Sequence, residues 1–263
     1  MKLTIVGCSG SASGPDSAAS SYLIQAPHGG RTYSLVLDLG PGAFGALYRH
    51  LNPSEVDAVG LTHLHPDHCL DLCGFHVAAR YGADAPWPRR PLYGPVDTAA
   101  RLTRAYEVTG PDAAAEGASL ANSFDFRTWQ AEQQIGPFHV RTVQVSHPVE
   151  TYAIRVEERS SGRSLVYSGD TGPDQKLVDL ARDVDLLLVE SAYLDVPNNP
   201  PDLHLNGREA AECARAAGAG EVILTHIPPW HRPSAVLAEA APHFAGPITL
   251  AVPGASWDVG GSA

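Results

Sequence analysis

The chain has 263 residues, 44% of them hydrophobic and 18% charged, an ordinary balance for a globular protein able to bury a core as one large domain or two small ones. Its 18 basic residues against 29 acidic ones leave a formal charge of −11, which argues against a broad nucleic-acid footprint, because gripping phosphates calls for a basic face. The opening MKLTIVGCSGSASG lacks the apolar region of a secretory signal, no apolar run is long enough to span a membrane, and Cys8, Cys69, Cys73 and Cys213 are too scattered for a disulfide scaffold, so a reduced, cytoplasmic protein is expected.

In chain order, strands are predicted over KLTIV (2–6), SYLIQA (21–26), YSLVLDL (33–39) and AVGLTH (58–63), followed by helices over 68–80 and 96–108. Cys69 and Cys73, one helical turn apart, read as small buried residues of the first of these helices rather than as a metal pair. Residues 109–123, TGPDAAAEGASLANS, read as a surface loop. Strands then follow over FHVRTVQV (138–145), TYAIRVE (151–157), SLVYSG (164–169), VDLLLVES (184–191), EVILTH (221–226) and PITLAV (247–252). Between the last three lies NGREAAECARAAG (206–218), where Asn206 caps a helix, Glu209 completes a capping box and Gly218 ends it. Some strands alternate and are half-buried, while LLLVE and VILTH are continuous and buried. With no repeat period, the pattern predicts one domain, residues 1–263, of α/β class, with helices covering two packed sheets.

Four strand-like runs end in a residue able to bind metal: His63 after VGLT, His147 after VRTVQVS, Asp170 after LVYSG and His226 after EVILT. Strand ends meet at one rim of a sheet, so these residues can share a site despite their separation in sequence. The first run continues as His63-x-His65-x-Asp67-His68. Imidazole nitrogens and carboxylate oxygens suit zinc, and a catalytic site keeps a position open beside its protein ligands. His63, His65 and His147 are expected to hold one ion and Asp67, His68 and His226 a second, with Asp170 bridging both. The remaining histidines, His28, His50, His76, His139, His231 and His243, read as packing or surface residues.

HLHPDH, His147, SGD (168–170) and TH (225–226) together resemble the metallo-β-lactamase superfamily, over nearly the whole chain. The resemblance implies an αββα sandwich, two mixed β-sheets flanked by helices, with a dinuclear zinc site at the sheet edge; manganese or iron would suit the same donors. Glu190 at the end of LLLVE and His204 before the capped helix resemble the pair of the ribonuclease Z-like branch, which with the motif aspartate, here Asp67, delivers a proton to the leaving oxygen. Phosphodiesters need such an acid because an alkoxide leaves poorly. β-Lactamases do not need it, and the glyoxalase and lactonase members generally lack the pair.

Three departures weigh against cleavage of transfer RNA. Only 22 residues separate His147 from Asp170, enough for one hairpin but not for a protruding RNA-gripping arm; the opening loop lacks the arginine-bearing motif of that family; and the net charge is −11. VGCSGSASGPDSAAS, HLHPDHCLDL, YSGDTG, DLHLNG and LTHIPPW are similar to actinobacterial cyclic-nucleotide phosphodiesterases, atypical relatives of the class II enzymes. That resemblance implies hydrolysis of 3′,5′-cyclic AMP to 5′-AMP by a hydroxide bridging two zinc ions, with His204 as general acid, in a homodimer. The alternatives are a ribonuclease Z-type endonuclease, a thioester or lactone hydrolase, and a non-catalytic metal-bound nucleotide sensor. The glycine-rich loop 7–14 is a weak candidate for holding phosphate, and Trp230 reads equally as a base-stacking ring or a packing corner.

Overall fold

The computed structural model describes residues 1–107 and 119–261. Two seven-stranded sheets pack face to face. The first contains β1 (Lys2–Gly7), β2 (Ser21–His28), β3 (Arg31–Leu37), β4 (Ala58–Gly60), β5 (Arg90–Gly94) and β6 (Phe124–Thr128). The second contains β7 (Glu132–Ile135), β8 (Phe138–Gln144), β9 (Tyr152–Glu158), β10 (Ser164–Tyr167), β11 (Leu186–Glu190), β12 (Glu221–Thr225) and β13 (Ile248–Leu250). The last strand, β14 (Ser256–Asp258), returns to the first sheet and pairs with β1. Each sheet is mixed: β1–β2–β3 and β7–β8–β9–β10 are antiparallel, whereas β3–β4–β5–β6 and β10–β11–β12–β13 are parallel.

Side-chain alternation builds three apolar layers. In β10, Leu165 and Tyr167 face the other sheet while Val166 faces outward; in β11, Leu186 and Leu188 face inward and Leu187 and Val189 outward. Helices cover both outer faces, which is why these strands are apolar throughout. α1 (Ala43–Leu47), α3 (Leu72–Tyr81) and α4 (Thr98–Tyr106) pack on the first sheet through Leu47, Leu72, Phe75 and Leu102. α5 (Gln175–Leu180), α6 (Gly207–Ala217) and α7 (Pro233–Ala240) cover the second through Leu177, Leu180, Ala210, Ala214 and Val236. No helix among the described residues is long and apolar enough to cross a membrane.

The capped helix forms as the sequence predicts. The Asn206 side chain accepts from the Glu209 amide at 2.9 Å, Glu209 Oε2 accepts from the Asn206 amide at 3.1 Å, and Gly218 closes the helix at φ 68°. The helix expected over 68–80 is instead two, α2 (Pro66–Cys69) and α3, so Cys69 and Cys73 lie on separate helices. The break arises because the Asp71 amide donates to Leu39 O at 3.1 Å rather than continuing the helical ladder. The strand expected over 58–63 stops at Gly60, and the strand expected over 221–226 stops at Thr225 with His226 in the left-handed region at φ 56°. Strands β5, β6, β7 and β14 and helices α1, α5 and α7 carry too short or too polar a pattern to be predicted. Most of the loop expected over 109–123 lies outside the described residues, and 120–122 form a single 3-10 turn.

Candidate active site

The rim is assembled where strands end. After β4, the Leu61 amide still donates to Tyr93 O at 2.8 Å, but the Thr62 amide turns to Asp38 Oδ1 at 2.7 Å, so the ladder ends and His63 and His65 leave the sheet. Pro66 then starts α2, which places Asp67 and His68 in a helical turn directly below. The Leu39 amide donates to His68 O at 2.7 Å, tying that turn to the end of β3. From the second sheet, Asp170 follows β10, Glu190 ends β11 and His226 follows β12. Gly10 closes over His226: a Cβ there would lie 2.1 Å from His226 O, so only glycine lets the first loop approach so closely.

Two groups of ligating atoms converge. His63, His65, His147 and Asp170 form one and Asp67, His68, Asp170 and His226 the other, with the atoms of each group all within 4.8 Å of one another. His147 Nε2 lies 3.3 Å from His65 Nδ1, Asp170 Oδ1 lies 3.2 Å from His68 Nε2, and Asp170 Oδ2 lies 3.2 Å from His226 Nε2 and 3.7 Å from His63 Nε2. Asp67 Oδ2 lies 3.4 Å from His68 Nε2. Each nitrogen turned away from the centre has a partner on four of the five rings: His68 Nδ1 with Asp38 Oδ2 at 2.7 Å, His226 Nδ1 with Ser20 Oγ at 2.9 Å, His63 Nδ1 with Thr62 Oγ1 at 3.1 Å and His147 Nδ1 with Leu203 O at 3.0 Å. Such outer partners fix tautomer and ring orientation for a metal ligand.

The donor set passes a physical test for a cation. His63 Nε2, Asp67 Oδ2, His68 Nε2, Asp170 Oδ1 and His226 Nε2 are buried without a hydrogen-bond partner, and all point into the same space. An orphaned buried polar atom costs about 1–3 kcal/mol, and five facing one another are explained by a shared cation. The electrostatics agree. Burial opposes charge on Asp170, yet the imidazoles of His226, His68 and His63 hold its carboxyl well below the usual range. Burial and neighbouring imidazoles push His63 down, and burial takes His147 to about 4, so both present the neutral nitrogens that metals require. His68 goes the other way: burial is outweighed by Asp170 and Asp38, and its pKa is raised well above the ordinary value. A cation held there would take the place of that proton.

Glu190 and His204 lie beside this centre. Glu190 is fully buried, and Oε1 accepts from the Thr171 amide at 2.9 Å and pairs with His204 Nδ1 at 2.8 Å, while Oε2 accepts from the Ala192 amide at 3.0 Å. Burial works against charge on His204, but Glu190 outweighs it and raises the imidazole to about 9. The His204 ring lies 5.6 Å from both the His147 and the His226 ring. All nine site residues named from the sequence are thus neighbours in space.

Three residues of the site were missed. Asp38 is fully buried at φ 57° and accepts from the Thr62 amide, the Thr62 hydroxyl, His68 and the Tyr167 hydroxyl; Thr62 and Ser20 back His63 and His226. A carboxylate closing an apolar strand, as in YSLVLDLG, was the available signal. In the glycine-rich loop the amides of Ser9, Gly10, Ala12 and Gly14 are spent on Ala18 O, Ile227 O, Gly10 O and Ser17 O. Trp230 is 65% exposed and is not a packing corner.

Convergent imidazoles and carboxylates at the edge of a two-sheet sandwich define a metal-dependent hydrolase. The family model described as the Beta-lactamase superfamily domain matches residues 33–227, and the chain belongs to that family: a metallo-hydrolase of the β-lactamase superfamily. The chain is 44% identical over 254 residues to the uncharacterized protein Rv1339 of Mycobacterium tuberculosis, covering 96% of this chain and 90% of that one. It is similar to the metallo-β-lactamase fold protein YhfI of Bacillus subtilis, whose crystal structure superposes with a TM-score of 0.82 at 27% identity and covers 97% of this chain and 98% of YhfI. It is also 29% identical over 275 residues to a ribonuclease Z of Mycobacterium bovis, covering 95% of each chain. The predicted metallo-β-lactamase fold and ribonuclease Z-like branch are therefore borne out.

Proposed function

We propose that this protein is a phosphodiesterase that hydrolyses 3′,5′-cyclic nucleotides, cyclic AMP to 5′-AMP, with two zinc ions at the sheet edge. The observation that carries the reading is the buried Glu190–His204 pair, with His204 within one ring's reach of both metal-capable groups. Relatives named ribonuclease Z support phosphodiester chemistry as the class. His63, His65 and His147 would hold one ion, Asp67, His68 and His226 the other, and Asp170 belongs to both. Divalent ions bound there supply Lewis acidity to phosphoryl oxygens and bring the pKa of a water toward about 7.

The chain's own residues supply the rest. Glu190 holds His204 by Nδ1, which leaves Nε2 to carry the proton given to the departing 3′-oxygen. Positioned proton transfer of this kind is worth roughly 10²–10⁴-fold. Asp67 presents the unpartnered Oδ2 to the same space and completes the proton-handling set. Residues 148–169 contain only the end of the His147 loop, β9, a short turn and β10, which favours a small substrate over one gripped by an arm. The reading extends to a homodimer acting in the cytoplasm, and sedimentation of the purified protein tests the dimer.

The deciding experiment is a competition assay of metal-loaded protein against 3′,5′-cyclic AMP, 2′,3′-cyclic AMP, a transfer-RNA precursor and a lactone. Preferred hydrolysis of 3′,5′-cyclic AMP is expected. Efficient cleavage of the precursor with cyclic AMP left intact would overturn the proposal in favour of the endonuclease.

A further inference from the structure

A cavity of about 290 Å³ opens beside His204, walled by Tyr193, Asp195, Asn198, Asn199, Asp202 and His204 itself. We propose that this cavity is the leaving-group subsite, and that it accepts a nucleoside which carries no further phosphate. The inference rests on the reading of His204 as the acid: a group that protonates the leaving oxygen touches it, so whatever that oxygen is attached to lies on the same side.

The walls are held in place. The Tyr193 amide donates to Leu205 O at 3.0 Å, and Asn199 Nδ2 donates to Leu194 O at 2.7 Å. Pro200 and Pro201 stiffen the segment 195–202, a strap whose far end presses on the loop after Asp170. A Cβ on Gly172 would lie 2.5 Å from Asp202 Cα, so glycine is what allows the strap to sit there. Asn198 and Asp202 both hold left-handed backbone, at φ 76° and 58°, which turns the strap around the cavity. The Tyr193 ring stands edge-on to His204 with centroids 5.1 Å apart, joining the cavity wall to the acid. A volume of about 290 Å³ lies near the roughly 300 Å³ lower bound for ligand pockets, which suits one nucleoside rather than an oligonucleotide.

Charge sets the selectivity. Of the three carboxylates in the wall, Asp195 is paired with Arg208 at 2.8 Å, and Glu209 is engaged in the helix cap. Asp202 has neither partner, and among the described residues no Lys or Arg lines the cavity. An added phosphate on the leaving nucleoside would meet this carboxylate at close range. The opposite flank differs: in the cavity of about 420 Å³ beside His65, Arg101 and Arg104 on one face of α4 match the two carboxylates of the wall, Asp97 and Glu150, so it carries no excess negative charge. A phosphate on the retained side is therefore tolerated where one on the leaving side is not.

Two isomeric dinucleotides of equal charge test this. When the 3′-oxygen leaves, pApA carries its extra phosphate on the leaving nucleoside, whereas ApAp carries it on the retained one. With metal-loaded protein, kcat/KM for ApAp is expected to exceed that for pApA roughly tenfold, the size of a partly screened like-charge interaction. Asp202→Asn, which keeps the left-handed backbone available, should bring the isomers within about threefold. Asp179→Asn on α5, outside the cavity wall, removes the same net charge and should leave the ratio unchanged. The compounds are also ranked as inhibitors of bis(p-nitrophenyl) phosphate hydrolysis, so that slow dinucleotide turnover still yields the order. Equal values for the two isomers would overturn the subsite while leaving cyclic AMP hydrolysis untouched. Preference for ApAp with cyclic AMP left intact would keep the subsite and remove the cyclic-nucleotide reading.

Discussion

The two metal-capable groups share Asp170 yet differ in their surroundings. Asp67, His68 and His226 are buried, and two of their rings are backed by a carboxylate and a hydroxyl, Asp38 behind His68 and Ser20 behind His226. His65 and His147 are only half-buried, and the outward nitrogen of His147 is held by a backbone carbonyl. A carboxylate partner raises the basicity of an imidazole ligand more than a carbonyl does, and burial shields the bound cation from competing water. One group thus faces solvent and the other is enclosed. Graded removal of metal with a chelator should therefore proceed in two steps, the ion of the half-exposed group leaving first.

The largest effect is expected where the groups meet. Asp170→Ala should leave both groups unable to hold their ions, with metal content by elemental analysis and activity both falling to background; a fully loaded variant would remove Asp170 as the shared ligand. Next comes His204→Ala, which removes none of the metal-capable residues of either group. It should lower kcat roughly 10²–10⁴-fold while two equivalents of metal remain bound. Unchanged turnover would strip His204 of its part as acid.

The same contrast separates what the sequence made legible from what it did not. His63, His65, Asp67 and His68 stand within six positions, and the residues that join them end apolar strands, so strand termini alone gather the set at one rim. The continuously apolar buried strands β10, β11 and β12 and the capped helix α6 follow from periodicity and cap chemistry for the same reason: local pattern and tertiary role agree. The polar strand β7, EQQI, carries too little apolar pattern to be seen. The break between α2 and α3 depends on the Asp71 amide finding Leu39 O, a contact between segments some 30 residues apart that no window on the sequence reveals. Asp38 was hidden differently. It follows an apolar run and reads as one more strand residue, although β3 ends at Leu37 and its carboxylate turns inward to four donors.

Asp38 also offers the finest way to probe the difference between the groups. Its Oδ2 accepts from the Thr62 hydroxyl at 2.8 Å, His68 Nδ1 at 2.7 Å and the Tyr167 hydroxyl at 3.0 Å, and Oδ1 accepts from the Thr62 amide at 2.7 Å. Asparagine tolerates the left-handed backbone, so Asp38→Asn changes hydrogen bonding with little change in backbone strain. Either orientation of the amide sets an NH2 against at least one of these donors, and the surviving oxygen cannot serve all four. The expected cost is about 10–100-fold in affinity for the ion of the buried group. The half-exposed group, which Asp38 reaches only through the Thr62 hydroxyl, should lose far less, and the two chelation steps should draw together or exchange order. Ser20→Ala removes a neutral partner from His226 and should have a smaller effect in the same direction. Equal weakening of both steps by Asp38→Asn would mean that the carboxylate supports the rim as a whole rather than the buried ion.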